Sequence, residues 1–269
     1  MDVNKNWVDA IYSLKFAWAI LVVSPMVSLV AWIIFYNYFV QLAKERFVFQ
    51  IADAEASILE SFSNYEQVLR GGLGLFKASE SIARKEWKQS VDTLDVEQYF
   101  PGTLGVGYSQ WLTLEQLDSH IEKIRQQGVP HFTVRPEEKR NQYSSIIFLK
   151  PSNKKNQRAF GYDMYSEPTR RKATIKARDT GKFAISGKVT LVQEMDVSRV
   201  QAFFLIYMPH YHYQVNTVKD RQKVLAGYVY SALRAGDLMQ GIIGVGLPEL
   251  DFTIYDGKNT VNKNKLYAL

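Results

Sequence analysis

Charge-free apolar positions run without a break from Phe16 to Val40, and no comparable run follows. Within the run only Ser24, Ser28 and Asn37 are clearly polar. About 20 apolar residues carry a helix across the roughly 30 Å hydrocarbon layer of a bilayer, so the pattern predicts one membrane-spanning helix with room for some tilt. Backbone polar groups in lipid must satisfy one another, which leaves helix as the available state. Pro25 removes one backbone hydrogen bond and marks a place for a kink. The run outlasts the apolar core of about 7–15 residues found in a cleaved signal peptide, and no small-x-small site closes it. Lys5 and Lys15 precede it and Lys44 and Arg46 follow it, so the flanking charges alone do not orient the helix.

From Gln41 to about Leu69 there is neither glycine nor proline. Ala52, Ala56, Leu59, Phe62 and Leu69 approximate one helical stripe, and Glu55, Glu60 and Glu66 lie largely away from it. The pattern predicts that the membrane helix continues as a stalk. Gly71, Gly72 and Gly74 are expected to loosen that helix, since glycine costs up to about 1 kcal/mol against alanine inside one. So long a stripe can pack on its own domain or against a second stalk, and the second option implies a parallel homodimer.

Beyond the stalk the period changes repeatedly. Strands are predicted at Leu104–Trp111, His131–Val134, Tyr143–Leu149, Phe183–Ile185, Lys188–Gln193, Ala202–Pro209, Val224–Ala232 and Leu250–Tyr255. Amphipathic helices are predicted at Thr113–Gln127, with Leu114, Leu117, Ile121 and Ile124 on one face, at Glu167–Arg178, and near Gly236–Ile243. Lys150–Arg158 reads as a polar loop. Strands and helices in this order predict an α+β body.

Composition narrows the function. The 269 residues contain no cysteine, which excludes disulfides and thiolate metal sites, and the net charge is +6. The basic excess is spread out, with short clusters such as Lys154-Lys155 and Arg170-Arg171-Lys172 that read as solvated faces. Nucleic-acid binding calls for a denser stripe, so none is expected. His210 and His212 alternate along a strand and share a face, but two histidines without convergent carboxylates make a poor metal site. No nucleophile elbow, zinc-protease motif or phosphate-binding loop is present, so these residues supply no catalytic constellation, metal site or cofactor.

Several segments, read in order, resemble a CHASE domain, the sensory module found outside the membrane in many cyclases and histidine kinases. They are Arg70 and Phe76; Tyr99-Phe100-Pro101-Gly102 with Gly105 and Gly107; Gly161-Tyr162-Asp163; Arg170-Arg171 and Ala173; Ala177-Arg178-Asp179-Thr180-Gly181; Leu191-Val192-Gln193; Met208-Pro209-His210-Tyr211; and Gly227-Tyr228-Val229. The resemblance covers about Ala54 to Asp256. It implies an N-terminal transmembrane helix, a long stalk helix and two PAS-like mixed subdomains, the membrane-distal one binding a small molecule. It divides the chain into a cytoplasmic N-terminus (1–15), the membrane helix (16–40), stalk helices (41–98), the sensory region (99–256) and an exit segment (257–269) leading toward a second membrane helix. It places the domain in the periplasm or outside the cell, anchored in the inner membrane.

By the same resemblance, Asp163 corresponds to an aspartate that contacts the ligand in plant cytokinin receptors, and Ile185, Gln193, Phe204 and Tyr207 would line the pocket. Glu194 stands where those receptors carry a small hydroxyl residue, which argues for a different ligand. Asp163 has a second reading as a turn-capping aspartate. The implied function is the ligand-binding portion of a larger receptor whose cyclase, phosphodiesterase or kinase lies beyond Leu269. The alternative is a membrane-tethered binding or scaffold module without signalling output.

Overall fold

A computed structural model describes residues 3–79, 81–192, 201–243 and 252–268. It has two compact units, Met1–Glu55 and Ala56–Leu269. Helix α1 runs from Val3 to Ala78. It is the one described helix long and apolar enough to cross a membrane. In the first unit the described apolar side chains from Phe16 to Phe39 are largely exposed, as an unaccompanied lipid-facing surface would be.

The second unit is α+β. After the last turns of α1 come α2 (Arg84–Thr93), α3 (Val96–Tyr99), β1 (Thr103–Thr113), α4 (Leu117–Gln126), β2 (Gln142–Lys150), α5 (Lys154–Gln157), α6 (Pro168–Thr180), β3 (Ala184–Ile185), β4 (Phe203–Tyr211), α7 (Val218–Val224), β5 (Leu225–Arg234), α8 (Ala235–Ile243), β6 (Thr253–Tyr255) and β7 (Lys265–Ala268). Strands β1 to β5 make one antiparallel sheet in the order β2-β1-β5-β4-β3, and β6 pairs with β7 in a separate ribbon. The stretch 257–269, expected as an exit segment, thus contributes β7 to that ribbon.

The sheet is covered on both faces, so its central strands are nearly continuously apolar. On one face Phe203, Leu205, Tyr207, Tyr228 and Tyr230 join Ala173 and Ala177 of α6 in the main core. On the other, Phe76 of α1 stacks on Tyr108 at 3.9 Å, Trp87 of α2 stacks on Phe148 at 5.6 Å, and Phe62 of α1 meets Phe204.

Local signals hold where they are strong. Glu167 caps α6 by accepting hydrogen bonds from the N–H groups of Thr169 and Arg170, Pro168 occupies the first turn, and Gly181 ends the helix at φ +69°. The expected loosening at Gly71–Gly74 does not occur, because α1 continues to Ala78. Gly72 is where the helix meets the body: a Cβ there would lie 3.0 Å from Val229 Cγ1. Close packing of Leu69, Leu73 and Phe76 outweighs the glycine penalty.

Two predicted strands are absent. His131–Val134 is irregular and ends in a single bridge from Arg135 to Tyr162. Lys188–Val192 forms only the bridge from Val189 to Phe203. Val189 keeps a backbone bond to the Phe203 carbonyl, whereas the Lys188 N–H donates to a side chain, Asp256 Oδ2. The Lys150–Arg158 loop holds the four-residue helix α5, capped by Asn153. Arg170 is buried, not solvated: its Nη2 donates to the Thr190 carbonyl and its guanidinium lies over the Tyr162 ring.

Candidate functional site

Gly161 begins the turn that delivers Asp163. Its φ is +78°, and a Cβ would fall 2.0 Å from the Thr133 carbonyl oxygen, so no other residue fits. The turn is fastened on two sides: Gly161 N–H donates to Ile146 O of β2, and Asp163 N–H donates to Arg135 O in the segment before β2. The Asp163 side chain is fully buried. Its Oδ1 accepts from the backbone N–H of Ser144 (2.7 Å) and of Tyr165 (2.9 Å). Its Oδ2 accepts from Arg140 Nε at 3.1 Å. An ionised carboxylate offers about four acceptor sites, so three are already engaged. Burial pushes the carboxyl above its usual range, opposed by those two N–H groups and by the Arg140 guanidinium. The capping and pairing role is therefore present in the structure, whatever else Asp163 does.

The other expected pocket residues divide. Tyr207 is fully buried on the α6 face, and its hydroxyl donates to Met164 Sδ at 3.1 Å, one residue from Asp163. Ile185 sits on β3 opposite Ile206 and is 40% exposed. Phe204 points away from Tyr207, to the α1 face against Phe62. Their separation of three residues along a strand already puts them on opposite faces, a period-two signal that corrects the expected pocket wall. Gln193 and Glu194 lie outside the described residues.

Around Asp163 and Tyr207 the structure assembles residues that the sequence did not mark as site residues. Ser144 Oγ donates to Ser109 Oγ at 2.9 Å, and the Tyr228 hydroxyl donates to the Thr174 carbonyl. The hydroxyl of Tyr230 is buried without a hydrogen-bond partner. Burial pushes the phenols of Tyr207, Tyr228 and Tyr230 above their usual range, so they remain neutral. These are neutral donors and acceptors beside aromatic rings, packed inside the sheet–α6 core. Their positions could not be read from spacing, because each comes from a different strand or helix.

Two clefts of about 390 and 290 Å³ open elsewhere on this unit, and none of the four described residues among the expected six lines either. No group of three or more histidine, aspartate or glutamate side chains that could hold a metal ion occurs among the described residues.

Residues 80–267 match the sequence profile of the CHASE domain, more than half of the 269 residues. The chain belongs to the CHASE-domain family. No curated protein matches the sequence. A CHASE domain is an extracytoplasmic sensory domain of signalling receptors, and the apolar N-terminal helix is its candidate anchor here.

Two histidines of the CHASE body predict its acid sensitivity. His120 is buried, its Nε2 lacks a hydrogen-bond partner, and burial followed by the charge of Lys123 pulls it down to about 4. His210 packs against Phe76 with its Nδ1 3.0 Å from the Tyr108 hydroxyl. It too is pulled down to about 4, by burial first and then by His212 and Lys77. Histidine in the unfolded chain titrates near about 6.5. Between these values the unfolded state binds more protons, so stability present above about pH 6.5 is lost as pH falls toward about 4. The expected loss is roughly 1–3 kcal/mol, mostly from His120 because solvent screens the partly exposed His210. Urea unfolding across this pH range checks it. The slope should flatten in His120→Gln, and an unchanged slope would count against the assignment.

Proposed function

We propose that this chain is the ligand-binding sensory portion of a transmembrane receptor, controlling a cytoplasmic diguanylate cyclase, phosphodiesterase or histidine kinase. The carrying observation is the family match over residues 80–267 following a helix able to span a membrane. In this reading the five-stranded sheet with α6 across it is the PAS-like ligand-binding subdomain. A small molecule binds near Asp163 and Tyr207 on that face. Binding shifts the equilibrium between two packings of the body only by its differential affinity for them, and α1 carries the difference to the membrane. The anchor lies in the inner membrane, with the body on the periplasmic or extracellular side. An alkaline phosphatase joined after Leu269 should be active in a bacterial host, and an inactive fusion with full expression would sink the extracytoplasmic reading.

The receptor works as a homodimer through α1. Phe62 and Leu69 of the predicted stripe are spent on the body, whereas Leu59 remains 62% exposed. The chain has no native cysteine, so single cysteines at Ala52, Ala56 and Leu59 report cleanly. Oxidative crosslinking should trap a dimer at one or more of them. Monomer at every position from Ala52 to Leu69 would refute the paired stalk.

A further inference from the structure

The 290 Å³ cleft lies at the junction of α2, the end of β2 and α5, away from Asp163. Its lining includes Arg84, Trp87, Lys88, Phe148, Lys150 and Phe160, with no acidic residue among the described ones. Lys150 is paired with Asp92 at 3.1 Å, but Arg84 forms no ion pair among the described residues. The Nη1 of Arg84 donates to the Ile147 carbonyl at 2.7 Å. Its Nε and Nη2 are shut off from solvent and have no hydrogen-bond partner. These two nitrogens form one edge of the planar guanidinium, the edge that grips a carboxylate with two parallel hydrogen bonds. Rings cover the faces, with Phe160 4.6 Å and Phe148 5.5 Å from the guanidinium carbon.

A second orphaned donor is independent of Arg84. Trp87 is 2% exposed, and its Nε1 has no acceptor. The benzene edge of its indole is the part that approaches Gly72 of α1. A buried donor without a partner forfeits its hydration with nothing in return, which a fold does not ordinarily leave uncompensated. Burial lowers the affinity of Arg84 for its proton, and no carboxylate among the described residues opposes that.

We propose that this cleft binds a small organic carboxylate with an apolar or aromatic body, held by the Nε–Nη2 edge of Arg84. The anion supplies the acceptors that Arg84 lacks, Lys88 adds positive charge at the rim, and Trp87, Phe148 and Phe160 enclose the body. Binding leaves the Arg84 bond to Ile147 in place. Access depends on rotation of the Phe160 ring off the guanidinium. The site is separate from the one near Asp163, so it stands or falls independently of the receptor reading.

The test is calorimetric titration of the full chain in detergent with benzoate, phenylacetate and hexanoate, alongside phenylacetamide and inorganic phosphate. Saturable binding of at least one carboxylate is expected, with at least about tenfold weaker binding of phenylacetamide, a loss of about 1.4 kcal/mol. Arg84→Lys keeps the charge but loses the two-bond edge, and should weaken the carboxylate by a similar factor. Asp163→Asn should leave it unchanged. The phenylacetamide comparison needs no variant, so it decides even if Arg84→Lys misfolds. No binding by any carboxylate at millimolar concentration, equal binding of phenylacetamide, or binding of phosphate alone overturns the proposal.

Discussion

Asp163→Ala is expected to lower the unfolding free energy by about 3–5 kcal/mol, the range for removing one partner of a buried ion pair. The carboxylate is fully buried and accepts from two backbone N–H groups and from Arg140. Alanine leaves all three donors without their acceptor. Arg140 keeps bonds to Pro136 O and Glu138 and its side chain is 18% exposed, which favours the lower end of the range. Asp163→Asn retains an oxygen for Ser144 and Tyr165 but loses the charge facing Arg140, and should cost about 1–2 kcal/mol. Urea unfolding followed by tryptophan fluorescence checks both. A change under about 1 kcal/mol for the alanine variant would show that the turn does not depend on this carboxylate. The measurement also governs any binding experiment: affinity lost in Asp163→Ala is ambiguous, whereas affinity lost in the better-folded Asp163→Asn reports on the ligand.

Trp87→Ala should be as damaging, about 3–5 kcal/mol, as for other buried tryptophans. The Trp87 ring is 2% exposed, lies nearly parallel to Phe148 and is 5.7 Å from Phe76. It is the side chain through which α2 is sealed onto both β2 and the last turns of α1. Removing it opens a cavity that rigid neighbours on the sheet cannot collapse into. Trp87→Phe keeps most of the apolar contact and removes the unpartnered Nε1, so its loss should be clearly smaller. Equal destabilisation by the two substitutions would mean that volume at this position does not hold α2 in place.

How much could be read in advance depended on range along the chain. The apolar N-terminal part of α1, its continuation toward the body, α4, α6 and strands β1, β2, β4 and β5 all follow from runs and periods within a few residues. Glu167, Pro168 and Gly181 mark the ends of α6 because capping is local chemistry. The segments at His131–Val134 and Lys188–Val192 have apolar content fit for strands but no complete ladder partner. Propensity describes what a backbone can do, and hydrogen-bond partners decide what it does.

The site was less legible. Asp163 stands out beside Gly161, and a carboxylate in that position suits a turn cap as well as a ligand contact. Arg140 had no mark, since 23 residues separate it from the carboxylate it pairs with. Arg170 read as one of a surface cluster, yet the fold buries it under Tyr162 and Thr190. Charge in a sequence says nothing about burial until the opposing element is known.

By itself the sequence determined the single apolar span, α4, α6 and strands β1, β2, β4 and β5 of the body, the capped ends of α6 and membership of the family. Each of these depends on residues close together in the chain or on their order along it. Only tertiary structure decided that α1 stays helical through Gly71–Gly74, that Phe204 and Tyr207 serve opposite faces, that Arg140 meets Asp163, and that Arg84 and Trp87 bring unpaired donors to one cleft. Those outcomes rest on strand register and on packing between elements distant in the chain, where contact energies exceed local preferences of about 1 kcal/mol per residue.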